Sequence, residues 1–147
     1  MNPRLDFRGV RPEALKPLIA AEQWLGRCGL EHGLVELVRL RASQINGCAY
    51  CVDLHAADAR AAGESERRLA ALTVWREVPF FTARERAALE WTEALTLVTS
   101  THVPDTAWNA VREHFDEAEV VDLSLLVATI NSWNRFAIAF RTAPEAA

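Results

Sequence analysis

The amino-acid sequence predicts an all-α fold, a single-domain helical bundle spanning 1–147 with about seven helices and no sheet. Three observations carry this. No stretch alternates apolar and polar residues between Gly, Asn or Asp turns, the pattern of a half-buried strand. Apolar residues recur instead at three- and four-residue spacing, which places them on one face of a helix. Two capping boxes, Thr82 with Glu85 and Asp116 with Glu119, mark helix starts directly, because each pairs a side-chain acceptor with a backbone donor left over by the first turn.

Taken in order, residues 1–10 show no period and read as an extended arm lying on a neighbouring subunit. Pro12 then opens a helix with Leu15, Leu18, Ile19, Ala21 and Leu25 inward, closing near Gly26, with Pro17 either kinking it or marking its true start. A second helix carries Leu34, Leu37, Val38 and Leu40. A third runs through the alanines of 56–62 to Gly63. Ser65 caps a short helix through Leu69, Leu72 and Val74 to about Arg76. Thr82 starts a helix with Ala88, Leu89, Trp91, Thr92, Leu95 and Val98. Pro104-Asp105 opens another bearing Trp108 and Val111, and Asp116 starts a long final helix through Val121, Leu123, Leu126, Ile130, Trp133, Phe136 and Phe140, ended by Pro144.

Composition bounds the function classes. Half of the residues are apolar and five are tryptophans, more apolar surface than one small monomer hides easily, so association into a homo-oligomer is expected. A net charge of −4 with interspersed signs offers no footprint for nucleic acid. No apolar run approaches the roughly 20 residues that cross a bilayer, and the first residues lack the apolar core of a signal peptide. The expectation is a soluble cytoplasmic protein.

The chemistry concentrates in residues 36–55. Cys48, Cys51 and His55 stand at i, i+3 and i+7 and so form one stripe on a helix. Asn46 and Gly47 read as capping residues that begin that helix, which puts Cys48 in the first turn, where free amides and the helix dipole stabilise a thiolate. His55 follows Cys51 by one turn and is placed to take its proton. Helix position favours the thiolate at Cys48, whereas proximity to His55 favours Cys51. Glu36 lies on the preceding helix, and a break at Asn46-Gly47 lets the two helices fold back so that Glu36 meets the stripe as the far end of a proton relay. Arg39 or Arg41 is expected to pair with an acid near the site. A lone Cys-x-x-Cys is a weak signal, but with His55 and Glu36 it points to a redox dithiol. Of the other cysteine, Cys28, a buried filler role is expected. Asn131 and Asn134 read as structural, bound to backbone groups of a neighbouring helix, and His32, His102 and His114 as solvent-facing.

Glu36, eleven residues, then Cys48-x-x-Cys51-x-x-x-His55 resembles the active-site pattern of the alkyl hydroperoxidase D-like (AhpD-like) group of the carboxymuconolactone decarboxylase family. The resemblance extends through Leu37 to His55, Thr82 to Trp91, and Ile130 to Phe136, and covers nearly the whole chain. It implies a hydroperoxide reductase with Cys51 attacking the peroxide and Cys48 resolving the sulfenic acid to a disulfide, without metal or organic cofactor. It also implies a trimer or hexamer. The electrons must come from outside, from a thioredoxin-like or dihydrolipoyl dithiol donor. Tyr50 departs from relatives that place a histidine between the cysteines. Tyrosine cannot act as a base near neutrality but can donate a hydrogen bond to substrate or thiolate. Competing readings are a zinc-binding structural module built on Cys48, Cys51, His55 and Glu36, a decarboxylase of a carboxylated lactone, which has no evident need of a dithiol, and a non-catalytic scaffold.

Overall fold

The side-chain caps read at Ser65, Thr82 and Asp116 each open a helix. A computed structural model of the protein describes residues 2–145, and among these it contains nine α-helices, two 3-10 turns and no strand. The helices are α1 (Phe7–Val10), α2 (Lys16–Leu25), α3 (His32–Asn46), α4 (Ala49–Ala61), α5 (Glu66–Ala71), α6 (Ala83–Thr96), α7 (Val98–Thr101), α8 (Asp105–His114) and α9 (Glu117–Phe140). Both capping boxes form: Thr82 and Asp116 accept from the amides of Glu85 and Glu119, whose carboxylates reach back to the cap amides. Ser65 caps α5 by accepting from the Arg68 amide alone.

α3 is the central element and packs on α4, α6 and α9. One core region joins Val35 and Val38 of α3, Ala88 and Trp91 of α6, Val111 of α8, and Leu123, Leu126 and Val127 of α9. A second joins Leu37 and Leu40 on another side of α3 to Ala59, Leu69, Leu72, Trp75 and Leu89. Residues such as Leu37 and Val38 therefore serve two cores from one helix, as a helix buried on most of its surface must. Four of the five indole N–H groups donate to named acceptors, Trp24 to Asp122, Trp75 to Glu93, Trp91 to Ser124 and Trp133 to Glu22. No helix of the described residues is long and apolar enough to cross a membrane.

Several local expectations are corrected. The two helices beyond the expected seven are the single turns α1 and α7. The arm is helical over Phe7–Val10 and lies on its own chain. Asp6 caps α1 through the Gly9 amide at 3.0 Å, and Phe7 is buried 5.3 and 5.2 Å from the rings of Phe136 and Phe140. Met1, which belongs to that arm, lies outside the described residues, as do 146 and 147 of the expected domain. Pro12 opens only a 3-10 turn, Pro12–Leu15, and α2 starts at Lys16 with Pro17 in its first turn, where no N–H is needed. The segment after Ser65 is α5 followed by a 3-10 turn, Leu72–Glu77. Ile19, Val74, Val98, Trp108 and Val121 are exposed rather than inward, and Cys28 is only half-buried, its thiol 3.3 Å from the Leu25 carbonyl. His32 and His102 are exposed as expected, whereas His114 is half-buried.

Candidate functional site

The junction of α3 and α4 builds the site. Asn46 and Gly47 do not start the cysteine helix; they end α3. Gly47 takes the left-handed conformation, φ 70°, its amide bonds Gln44 at 3.2 Å, and the Cys48 amide reaches the Ser43 carbonyl at 3.0 Å. This pair of bonds is a Schellman closure, which needs a residue that tolerates positive φ at that point. The chain reverses at once, and Cys48 is itself the cap of α4: its sulfur accepts from the Cys51 amide at 3.3 Å, the place an oxygen of Ser or Asp commonly fills. A glycine directly followed by a capping residue signals an end and then a start, whereas composition alone reads Asn46 and Gly47 as the start and Cys48 as part of the first turn.

The tight reversal brings the stripe against α3. His55 Nδ1 lies 2.9 Å from Glu36 Oε2, and Glu36 Oε1 accepts from Arg39 at 2.7 Å. Glu36 is 1% exposed and His55 9%. Burial by itself pushes the Glu36 carboxyl up, but the hydrogen bond from His55 and the charge of Arg39 outweigh it and hold the group below its ordinary value of 4.5. Glu36 is therefore a carboxylate that can only accept, so His55 Nδ1 carries the hydrogen, and in the neutral imidazole it is Nε2 that holds the lone pair. Arg39 also pairs with Glu22 of α2, which takes the Trp133 indole N–H at 3.1 Å. Arg41 turns away to Glu93. Glu22 escaped the sequence reading because it sits on a different helix with no local motif, and only the fold joins it to Arg39.

Cys48 and Cys51 are joined as a disulfide, 1% and 3% exposed, and pack with Ala137 of α9 and Tyr50. A cavity of about 220 Å³ opens beside them, with Cys51, His55, Tyr50, Arg39 and Glu22 in its lining and Ile130 and Trp133 on its apolar wall. Cys48 is not part of the lining. The structure thus brings together the sequence-predicted Glu36, Cys48, Cys51, His55 and Tyr50. The four-residue zinc set does not form as a ligand cluster: the sulfurs are bonded to each other, and among the described residues the donor atoms that gather within 4.8 Å are those of Glu36, His55 and Asp58.

Beneath the junction, Asn46 donates to Asn131 at 3.0 Å and to Asn134 at 2.8 Å, and Asn134 donates to Ser43 at 3.0 Å. The asparagines of α9 do serve structure, though their partners on α3 and α6 are side chains, Thr96 among them, rather than backbone. They pin the end of α3 and hence the position of Cys48.

The family model for the carboxymuconolactone decarboxylase family matches residues 12–94. The chain is 42% identical over 139 residues to the uncharacterized protein YdfG of Bacillus subtilis, covering 95% of each. It is similar in structure to a protein of unknown function from Agrobacterium tumefaciens, provisionally assigned as the antioxidant defence protein AhpD, with a TM-score of 0.96 at 40% identity over 99% of this chain and 100% of that one. It is also similar to an uncharacterized peroxidase-related protein from Ralstonia eutropha with an alkylhydroperoxidase AhpD core, with a TM-score of 0.81 at 25% identity over 94% of this chain and 74% of that one.

Proposed function

The chain belongs to the carboxymuconolactone decarboxylase family, in its AhpD-like group, and from that premise we propose that it is a cysteine-based alkyl hydroperoxide reductase. The observation that carries the proposal is that Cys51, alone of the two bonded sulfurs, lines the cavity, one turn of α4 from a His55 whose Nδ1 is held by the Glu36 carboxylate. Such a histidine has its second nitrogen free as an acceptor.

In the reduced enzyme His55 takes the proton of Cys51. The thiolate attacks the outer oxygen of the hydroperoxide: an S–O bond forms, the O–O bond breaks, and the leaving alkoxide departs as the alcohol with the proton returned by His55. Sulfur is thereby oxidised to the sulfenic acid. Cys48 then attacks that sulfur, forming the S–S bond and releasing water. The Cys48–Cys51 disulfide is the product of this half-reaction. An external dithiol, thioredoxin-like or dihydrolipoyl, is oxidised in turn to restore both thiols. Tyr50, on the cavity wall, positions substrate or steadies the thiolate with its hydroxyl. Helix position argues for attack by Cys48, but a sulfur outside the cavity has no access to the peroxide. A decarboxylase reading leaves the dithiol without a role.

We place the enzyme in the cytoplasm as a homo-oligomer, a trimer or hexamer. Exposed Ile19, Trp24, Val121 and Leu125 support association. The test is to trap the intermediate: with Cys48→Ser, hydroperoxide leaves a sulfenic acid on Cys51 that a dimedone-type reagent labels, and with Cys51→Ser no label forms. Labelling of Cys48 in the Cys51→Ser protein would reverse the roles.

A further inference from the structure

The cavity holds one cation that the peroxidase chemistry does not use. Arg39 is committed to Glu22 and Glu36, and those carboxylates in turn also engage Trp133 and His55. Arg8, on α1, has no carboxylate partner among the described residues. Its guanidinium lies 5.4 Å from the Trp133 ring and 5.5 Å from the Phe7 ring, over apolar faces that fix its position. A guanidinium that rests against rings makes no hydrogen bond to them and keeps its N–H groups available for a planar anion. Arg8 is exposed whereas Cys51 is buried, so the two mark the outer and inner ends of one cavity. Between them one side of the wall is apolar, formed by Leu54, Ile130, Trp133 and Ala137, and the carboxylate that also lines the cavity, Glu22, is already paired with Arg39 and the Trp133 indole N–H.

The volume limits the occupant. A dry cavity of roughly 150 Å³ accepts benzene, so about 220 Å³ accommodates one ring with a few further atoms. A long acyl chain does not fit inside. Resting on the peroxidase reading above, we infer that the site takes an aromatic-sized hydroperoxide bearing a carboxylate at the end remote from the O–O bond, and that Arg8 is the residue that selects for that carboxylate. The peroxide meets Cys51 and His55, the ring lies on Trp133 and Ile130, and the carboxylate meets Arg8 at the mouth. The anchoring of α1 by Phe7 between Phe136 and Phe140 gives the guanidinium a fixed base.

The experiment compares three probes on the reduced full-length protein with a common dithiol donor: cumene hydroperoxide, its para-carboxy derivative, and the methyl ester of that derivative. A charge-assisted pair at a partly solvated site predicts a preference in kcat/KM for the acid over the ester on the order of tenfold. In Arg8→Gln the acid-to-ester ratio falls to about one, and in Arg8→Lys, which keeps the charge without the planar fork, it is intermediate. An equal rate for acid and ester in the unaltered protein, or a preference that survives Arg8→Gln, overturns the inference. A second arm separates this from the peroxidase reading. 4-Isopropylbenzoate, which has no peroxide, is titrated into the disulfide form and followed by tryptophan fluorescence. Binding that weakens on the order of tenfold in Arg8→Gln supports the carboxylate site even where cumene hydroperoxide fails to oxidise the thiols, a failure that counts against the peroxidase reading alone. Absent binding, or equal binding by the variant, overturns the inference whatever the peroxide assay shows.

Discussion

Glu36→Gln separates the charge of the buried carboxylate from its shape. Gln keeps one acceptor oxygen and replaces the other with an NH2 group. With the oxygen turned to Arg39, the NH2 faces His55 Nδ1, which must then accept, so the hydrogen moves to Nε2 and the base becomes a donor towards the cavity. Inverting a catalytic tautomer removes general-base catalysis, worth about a hundredfold to ten-thousandfold in comparable sites. The rate of thiol oxidation by hydroperoxide, followed by stopped-flow tryptophan fluorescence, should fall at least about a hundredfold. Stability should fall too. Hydrogen bonds to a charged group contribute about 1.5–3 kcal/mol against about 1 for neutral ones, so two weakened bonds, offset by easier burial of a neutral group, cost about 2 kcal/mol near pH 7, or roughly 4–8 °C in Tm. The pH dependence has a definite sign. The folded pKa of Glu36 lies below its ordinary 4.5, so the stabilisation is fully present above that value and is lost as the pH falls through the folded pKa. The stability gap between the native protein and the variant, read from urea midpoints, should therefore close in acid. Oxidation of Glu36→Gln at the unaltered rate would refute the relay, and a gap independent of pH would refute the ionised pairing.

Further outcomes follow from the junction. Gly47→Ala meets no atom within 4 Å of the added Cβ, so its cost is the left-handed backbone alone, about 1–2 kcal/mol in urea unfolding; a neutral result would mean that the reversal relaxes without loss. Asn134→Ala empties a side chain 0% exposed and takes one partner each from the Asn46 amide, which keeps Asn131, and the Ser43 hydroxyl, which keeps the Arg39 carbonyl, so the thermal midpoint should drop by an amount corresponding to about 1–3 kcal/mol.

Local signals carried most of the helix pattern because they are local. A capping box involves residues three apart, and the periodicity of α3, α6 and α9 is visible within one helix, so Thr82, Asp116 and Ser65 could be read directly. The pairing of Glu36 with His55 was legible for a related reason: only a short reversal separates the two helices. What failed depended on tertiary partners. Asn46 and Gly47 serve either a helix end or a start by composition, and the Schellman bonds decide between them. Phe7 carries no periodicity and becomes helical because a ring slot on α9 receives it. Arg8 and Glu22 reach the site from α1 and α2, and no spacing in the sequence links either to Cys51. Val121 fits the apolar phase of α9 but falls on its outer edge, since one helix cannot bury a full circumference against partners on one side.

The central claim is that Cys51 and Cys48 together reduce a hydroperoxide. Its most direct measurement is the thiol count of the fully reduced protein before and after an equimolar amount of cumene hydroperoxide, with the bonded pair mapped by peptide mass. The account predicts that Cys48 and Cys51 are lost together as one disulfide while Cys28 stays free, and that the Cys51→Ser protein loses no thiol. Thiols that stay reduced in the native protein, or that are lost equally in Cys51→Ser, would contradict it.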